Sequence, residues 1–228
     1  MADVDLLDLL QGTVSESRRR VYGVTLGVVT DNRDPQGVGR VRVRFPWISD
    51  LTESGWARVA VLAAGPDRGT FFIPEVDDEV LVTFRHGDLR YPYVIGSLWN
   101  GRERPPVPTA LAQRSMIRSK SGHEVTFDDL PTQERLTIKS HAGHEIVLDD
   151  SPQGLRVEIR DAKGTQKITL DGVTQTVSIT ALAGNVEVKA PAGNVSVRGT
   201  AVQVSAAATL ELKSGGLLSL QAPLVKIN

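Results

Sequence analysis

Paired histidine and glutamate residues are the first candidates for chemistry in this sequence. His123-Glu124 recurs as His144-Glu145, and such residues serve elsewhere as acid–base groups or metal ligands. His141 and His144 are spaced like two ligands, which is too few for a metal in one chain unless a threefold axis gathers three copies. Because both pairs fall at turns of a repeated segment, we interpret them as copies of a structural unit and predict no metal and no cofactor.

Two pairs of adjacent aspartates suggest a second kind of chemistry, glycoside hydrolysis by paired carboxylates. They are Asp128-Asp129 and Asp149-Asp150. Adjacent residues on a strand point to opposite faces, so we interpret both pairs as polar turns. The sequence has no cysteine, which excludes disulfides, thiolate zinc sites and cysteine nucleophiles. It also lacks a nucleophile elbow, a phosphate loop and an HExxH motif, and we therefore predict no enzyme.

A row of arginines suggests nucleic-acid binding. Arginines alternate with apolar residues at Arg40, Arg42 and Arg44. Trp47 or Trp56 would then provide a stacking platform for bases. However, residues 21–104 contain ten arginines and eleven carboxylates, and the net charge of the chain is −1. We therefore predict no nucleic-acid partner and interpret these arginines as a solvated or interface-facing strand surface.

The distribution of aromatic residues predicts two domains. Ten of the eleven aromatic residues lie between Tyr22 and Trp99, and only Phe127 follows them. Aromatic side chains bury large areas, so the first hundred residues are expected to form a compact core. A proline-rich stretch at 104–108 follows. We assign an N-terminal segment to residues 1–20, a barrel to 21–101, a linker to 102–116 and a repeat domain to 117–228.

The first domain is predicted to be a small β-barrel. Short β-branched segments alternate with turns rich in glycine and proline. The predicted strands cover residues 21–30, 39–47, 56–61, 79–84 and 93–98. Five short strands with a period of two suit a closed barrel such as an OB-fold.

The second domain is a repeat. Residues 121–129 return as 142–150, twenty-one residues later, and the unit shortens to nine residues further on. Each unit is predicted to be a short strand with two apolar residues on one face. These apolar pairs begin at Val125, Leu136, Ile146, Val157, Ile168, Val177, Val186, Val195, Val202, Leu210, Leu218 and Val225.

Such strands bury too little apolar surface to be stable alone. A single-chain β-helix is one solution, but spacings of seven to nine residues are too short for a coil with three faces. Three chains wound together, each contributing one strand per layer, fit better. The fold class predicted is therefore all-β, an OB-fold barrel followed by an intertwined trimeric β-helix. Twelve layers at about 4.8 Å would make a needle on the order of 60 Å long.

Four segments of the barrel resemble a known family. They read GRVRVRFPW at 39–47, GWARVA at 55–60, FIPEVDDEVLV at 72–82 and DLRYPYVIGSLWNG at 88–101. Together with the shortening repeat, they are similar to the central spikes of contractile tails. This family includes the baseplate assembly protein V group of myophages, the T-even central spike and the VgrG proteins.

The resemblance implies a homotrimer whose OB-fold collar docks on a trimeric hub protein and contacts other baseplate proteins. The needle would be driven through the target envelope when the sheath contracts, and would touch the target membrane only then. In this family the C-terminal end often seats a conical PAAR-type tip protein. The corresponding residues are Leu224, Val225, Lys226, Ile227 and Asn228.

The sequence also departs from its relatives. VgrG proteins carry a hub-like domain before the barrel, whereas about twenty residues precede it here, so a separate hub is expected. An amphipathic N-terminal helix would grip that hub through Leu6, Leu7, Leu9 and Leu10, and a frayed terminus is the alternative. The short linker leaves no room for the lysozyme domain of the T-even spike, and the tip lacks the histidines of an iron site.

A second function remains open, that of a β-helical tail fibre or tailspike acting on surface polysaccharide. The scarcity of aromatic residues in the repeat argues against sugar stacking. The N-terminus has no basic region typical of a secretory signal. We therefore expect cytoplasmic synthesis followed by assembly into a phage tail or another contractile injection particle.

Overall fold

The computed structural model describes residues 20–48, 53–106 and 113–226. Within these ranges the elements are β-strands, apart from one short 3-10 turn at Arg85–Gly87. None of the described residues forms a helix with the length and apolar character needed to cross a membrane. The predicted all-β fold is confirmed.

The first domain is a closed five-stranded barrel. Its order around the barrel is β1, β2, β3, β7 and β6, with the parallel pair β3–β7 closing an otherwise antiparallel ring. A two-stranded hairpin, β4 and β5, projects from the barrel and was not predicted. The strands are β1 Val24–Asp31, β2 Arg40–Arg44, β3 Ala57–Val59, β4 Ala64–Gly65, β5 Arg68–Gly69, β6 Glu79–Phe84 and β7 Pro92–Ser97.

Valine fills the barrel core, because alternate residues of the strands face inward. The fully enclosed side chains are Val29, Val41, Val43, Ala57, Val80, Val82 and Val94, joined by Phe45 and Phe84. The prediction of a compact core is confirmed, but its expected aromatic basis is wrong. Most of the aromatic residues of this domain, such as Phe71, Phe72 and Trp99, lie largely exposed on the surface.

The second domain begins with a seven-stranded antiparallel sheet in which each strand pairs with the next along the chain. Its strands are β8 Arg114–Arg118, β9 Glu124–Asp128, β10 Arg135–Lys139, β11 Glu145–Asp149, β12 Arg156–Arg160, β13 Gln166–Asp171 and β14 Thr176–Ala181. The first six predicted apolar pairs lie on β9 to β14, one pair per strand. Strand β8 starts within the segment assigned as the linker.

The turns of this sheet explain its repeat. Ser119 and Ser140 begin matching turns in which the serine hydroxyl accepts a hydrogen bond from the N–H four residues on, at 3.0 Å in both cases. Gly122 and Gly143 occupy the same position in the two turns with φ of +89° and +96°, a region that glycine tolerates best. The repeated Gly-His-Glu sequence is therefore a turn followed by the start of a strand.

Residues 182–226 follow the sheet without forming a strand within the chain, and their side chains are exposed. The last six predicted apolar pairs fall here. Neighbouring strands of the seven-stranded sheet come from one chain, so that part needs no intertwining to satisfy its backbone. Intertwining with other chains stays a prediction for residues 182–226.

A glycine inside the barrel offers a test of the packing. A Cβ at Gly27 on β1 would lie 2.3 Å from Val43 Cγ1 in the core, whereas one at Gly96 on β7 would meet no atom within 4 Å. Gly27→Ala is therefore expected to destabilise the barrel by about 1–3 kcal/mol through overpacking, while Gly96→Ala has little effect. Denaturant unfolding followed by tryptophan fluorescence measures both, and equal stability of the two variants would contradict this packing.

Candidate functional site: an uncovered apolar sheet face

Two columns of apolar side chains cross one face of the seven-stranded sheet. The register pairs Ile117, Val125, Ile138, Ile146, Ile159, Ile168 and Ile179 in one column. The second column contains Phe127, Leu136, Leu148, Val157, Leu170 and Val177, with Ser115 at its start. We call the two columns together the apolar face. Cross-strand neighbours of this kind touch one another directly.

In the part of the chain that the structure describes, the apolar face has no covering layer. Ile146 is 37% exposed near the middle of the sheet, and Val177 is 71% exposed near its end. On the opposite, polar face, Val147 and Asp149 are only 9% and 1% exposed. The sheet therefore shields its polar side better than its apolar side. A continuous exposed apolar surface marks an interaction site.

The apolar face is concave around its isoleucine column. This hollow of about 680 Å³ is lined by Ile146, Ile159, Ile168 and other members of the column, together with Val186 beyond the last strand. The column therefore continues past β14 into the segment that has no strand of its own. The isoleucine column favours apolar side chains in an occupant, and polar residues such as Glu145 and Arg160 also line the hollow.

The polar face carries two ladders of alternating charge. In each ladder, every residue lies opposite the next one on the neighbouring strand. The first ladder contains Arg114, Asp128, Arg135, Asp149 and Arg156, and the second contains Arg118, Glu124, Lys139, Glu145 and Arg160. Ion pairs join neighbouring rungs, for example Arg118 to Glu124 at 3.2 Å and Lys139 to Glu145 at 3.2 Å. Arg114 with Asp128 and Arg160 with Glu145 form further pairs. These ion pairs connect β8 to β9, β10 to β11 and β11 to β12.

Asp149 is the most buried member of these ladders. Its Oδ1 atom accepts a 2.6 Å hydrogen bond from the Ser151 hydroxyl, and its Oδ2 atom accepts one from Arg135 at 2.8 Å. The Ser151 hydroxyl lowers the pKa of Asp149 most, with Arg135 adding to this, against the opposing effect of burial. A Cβ at Gly154 would come within 2.6 Å of Asp149 Oδ2, so the glycine makes room for the carboxylate.

Glu145 is held in a similar way on the second ladder. Burial acts to raise the pKa of Glu145, but hydrogen bonds from Arg160 and Lys139 outweigh it, and the pKa is lowered. Both carboxylates are therefore kept ionised, Asp149 chiefly by the Ser151 hydroxyl and Glu145 by Arg160 and Lys139. Lowered pKa values of this kind are typical of a structural ion-pair network rather than of a proton-transfer site.

The histidines of the sequence analysis lie at the turns of the sheet. The His141 N–H donates to His123 Nδ1 at 3.2 Å, and the two rings meet edge to face with centroids 6.3 Å apart. The structure does not bring His144 into this pair. Among the described residues, no three histidine or carboxylate side chains are grouped closely enough to hold a metal ion.

The aspartate pairs divide as the strand geometry predicts, but their interpretation as polar turns was incomplete. Asp128 and Asp149 end strands β9 and β11 and belong to the charge ladders, whereas Asp129 and Asp150 follow outside the strands. The ladders were missed in the sequence analysis. Their signal was present, because strands β8 to β12 carry one sign of charge at both ends and the sign alternates from strand to strand.

The arginines of β2 are engaged within the barrel. Arg40 forms an ion pair with Asp34 at 2.7 Å, and this hydrogen-bonded partner lowers the pKa of Asp34. Arg42 lies 3.5 Å from Glu53, and the guanidinium groups of Arg40 and Arg42 stack over the Trp56 ring at 5.9 and 5.0 Å. Trp56 therefore has its ring covered by cations rather than presented as a platform for bases.

The proposed contact residues lie near the two ends of the chain. Leu224 is 71% exposed and Val225 is 50% exposed, and Lys226 is exposed as well. Ile227 and Asn228 lie outside the described residues, as do the hub-contact candidates Leu6, Leu7, Leu9 and Leu10. The assignment of these residues to a tip and a hub stays a prediction.

A closed barrel followed by a strand repeat with an uncovered apolar face defines a β-protein that assembles through its repeat. Comparison with known families agrees with this class. Residues 25–99 match the type VI secretion system/phage-baseplate injector OB domain, and residues 115–183 match the phage baseplate V C-terminal trimerisation domain. The trimerisation domain supports a homotrimer.

Individual relatives fall in the same group. The chain is 36% identical over 107 residues to the type VI secretion system spike protein VgrG2a of Pseudomonas aeruginosa, a match covering 42% of this chain and 12% of that protein. It is 32% identical over 108 residues to VgrG3 of Vibrio cholerae, covering 43% and 11%. By its two matched domains, the chain belongs to the phage baseplate V family and is homologous to VgrG spike proteins. It spans only about a tenth of these relatives' length.

Two adjacent residues on β13 test the role of the apolar face. Ile168 is on that face, whereas Lys167 is on the polar face opposite Arg160. Ile168→Asp would bury a carboxylate in the isoleucine column, so we expect the native mass to fall from three times 24.6 kDa to 24.6 kDa. Lys167→Asp places an acid beside Arg160 and should remain trimeric. Light scattering measures both masses, and a trimeric Ile168→Asp would contradict this assignment.

The buried carboxylate predicts how stability depends on pH. Because the folded protein lowers the pKa of Asp149, its stabilising contribution is present above the unfolded value of about 3.9 and is lost as the pH falls through the lower folded value. Asp149→Asn is expected to reduce stability at neutral pH and to flatten the loss below about pH 4. Thermal unfolding between pH 2 and 7 measures this, with the exposed Asp150→Asn as control. An unchanged acid profile in Asp149→Asn would contradict it.

Proposed function

We propose that this protein is the trimeric central spike at the baseplate of a contractile tail or injection machine. The single observation that carries the proposal is the apolar face, which lies open along the whole seven-stranded sheet. Three copies placing these faces together would form a three-sided needle with a continuous apolar interior. The family match of the sheet to a trimerisation domain supports this arrangement.

The charge ladders suit the outside of such a needle. They alternate in sign, so the shaft would present balanced charge and little attraction to nucleic acid or to anionic membranes. Ion pairs between rungs would also resist the sliding of one strand past the next when the needle is pushed. A shaft that pierces an envelope has to resist such sliding.

The barrel would form the collar of the spike and dock on a separate hub protein, with the N-terminal leucines as candidate contacts. At the other end, Leu224 and Val225 are exposed apolar residues that a PAAR-type tip protein would cover. No catalytic step is assigned to the chain. The needle would work by transmitting force from the contracting sheath to the target surface.

Replacement of the chain in its host tests this function. Cells lacking the gene would be complemented with the wild type, with Ile168→Asp or with Lys167→Asp, and their particles examined by electron microscopy. We expect Ile168→Asp particles to lack central spike density and to lose target-cell penetration almost completely. Lys167→Asp should restore both. Penetration at the wild-type level by a monomeric Ile168→Asp protein would overturn the proposal, and polysaccharide cleavage by purified protein would favour a tailspike.

A further inference from the structure

A second apolar surface lies between the barrel and the first strand of the sheet. It is a groove of about 870 Å³, separate from the hollow on the apolar face. Both domains contribute to its walls. Its largest apolar side chains include Leu62, Phe72, Ile95, Trp99, Met116 and Ile117.

Among the described residues, most of these side chains have little cover. Leu62 is 95% exposed, Trp99 is 66% exposed and Phe72 is 63% exposed. Large aromatic and aliphatic residues gathered on one surface are the composition of an interface core rather than of a solvated surface. Tryptophan in particular contributes disproportionately to binding energy when a partner encloses it.

The groove is held in place by a contact between the two domains. Lys120, just after β8, donates to Glu75 Oε2 of the barrel at 2.7 Å. Asn32 supports the same carboxylate oxygen at 3.4 Å, and it also donates to the Pro74 carbonyl at 3.1 Å. The Lys120–Glu75 ion pair therefore bridges the two domains beside the groove.

The groove is continuous with the apolar face. Ile117 is the first member of the isoleucine column and also lines the groove. An occupant that covers Ile117 therefore contacts both surfaces, and the polar residues Arg118, Ser119 and Lys120 also line the groove beside it. In a closed ring of identical chains, the surface beside one copy is filled by the next copy.

We propose that a second copy of this chain occupies the groove, so that the trimer interface extends from the needle onto the barrel. The inference rests on the trimer of the proposed function. Each copy would enclose Leu62, Phe72 and Trp99 of its neighbour. The collar is then held together by its own apolar contacts in addition to those of the needle.

Photo-crosslinking tests this arrangement. The photoreactive residue p-benzoylphenylalanine is introduced in place of Phe72, which is exposed enough to accept it without disturbing the fold. The control site is Tyr91, a half-exposed barrel residue outside the groove that stacks with Arg85 and Arg90. After irradiation of the full-length protein, we expect crosslinked dimers and trimers on a denaturing gel from position 72 and none from position 91.

The native mass of the same samples distinguishes failure of the groove assignment from failure of the trimeric spike itself. A trimer that gives no crosslink between copies from position 72 overturns the groove assignment and leaves the spike intact. A monomer overturns both.

Leu62→Asp provides a second measurement, because this side chain touches almost nothing within its own chain. We expect it to lower the melting temperature of the trimer by several degrees, and an unchanged value would overturn the inference.

Discussion

The unshielded apolar face is the constraint on which the rest of the molecule depends. Each strand from β9 to β14 offers two apolar side chains to one side, and a single layer of strands cannot bury them. A sheet needs a second layer before its apolar face contributes to stability. In the proposed trimer that layer comes from other copies. The stability of the sheet and its assembly with other copies are therefore coupled.

The different roles of the apolar face and the polar face follow from this constraint. Backbone pairing holds the seven strands in register, and the polar face adds ion pairs between some of them. Asp149 is buried among its partners on that face, although it points away from the apolar columns. The barrel differs because it closes on itself and encloses its valines within one chain.

Much of this fold could be predicted from sequence. The segment 79–84 was predicted as a strand and forms β6 with the same bounds, and the apolar pairs from Val125 to Val177 all lie on strands. The period-two pattern was sufficient there because alternate side chains of each strand face opposite sides, one apolar and one polar. The hairpin of β4 and β5 was missed, since two-residue strands leave no periodic pattern.

The assembly surfaces were harder to predict. Aromatic residues were expected in the barrel core. Composition cannot distinguish an aromatic residue that fills a core from one that lies exposed on an interaction surface. Phe72 and Trp99 are of the second kind. The charge ladders were missed because their meaning depends on which strands are neighbours. That information comes from the turns at Gly122 and Gly143, which make the sheet a simple meander.

Cysteine labelling tests most directly whether the apolar face is covered in the assembled protein. The chain contains no cysteine, so single substitutions report on one position each. Ile179→Cys places a thiol on the apolar face, where the single chain leaves the residue 61% exposed, and Lys167→Cys places one on the polar face. The account predicts that maleimide modifies position 167 rapidly and position 179 only after denaturation. Rapid modification of both in the native protein would contradict it.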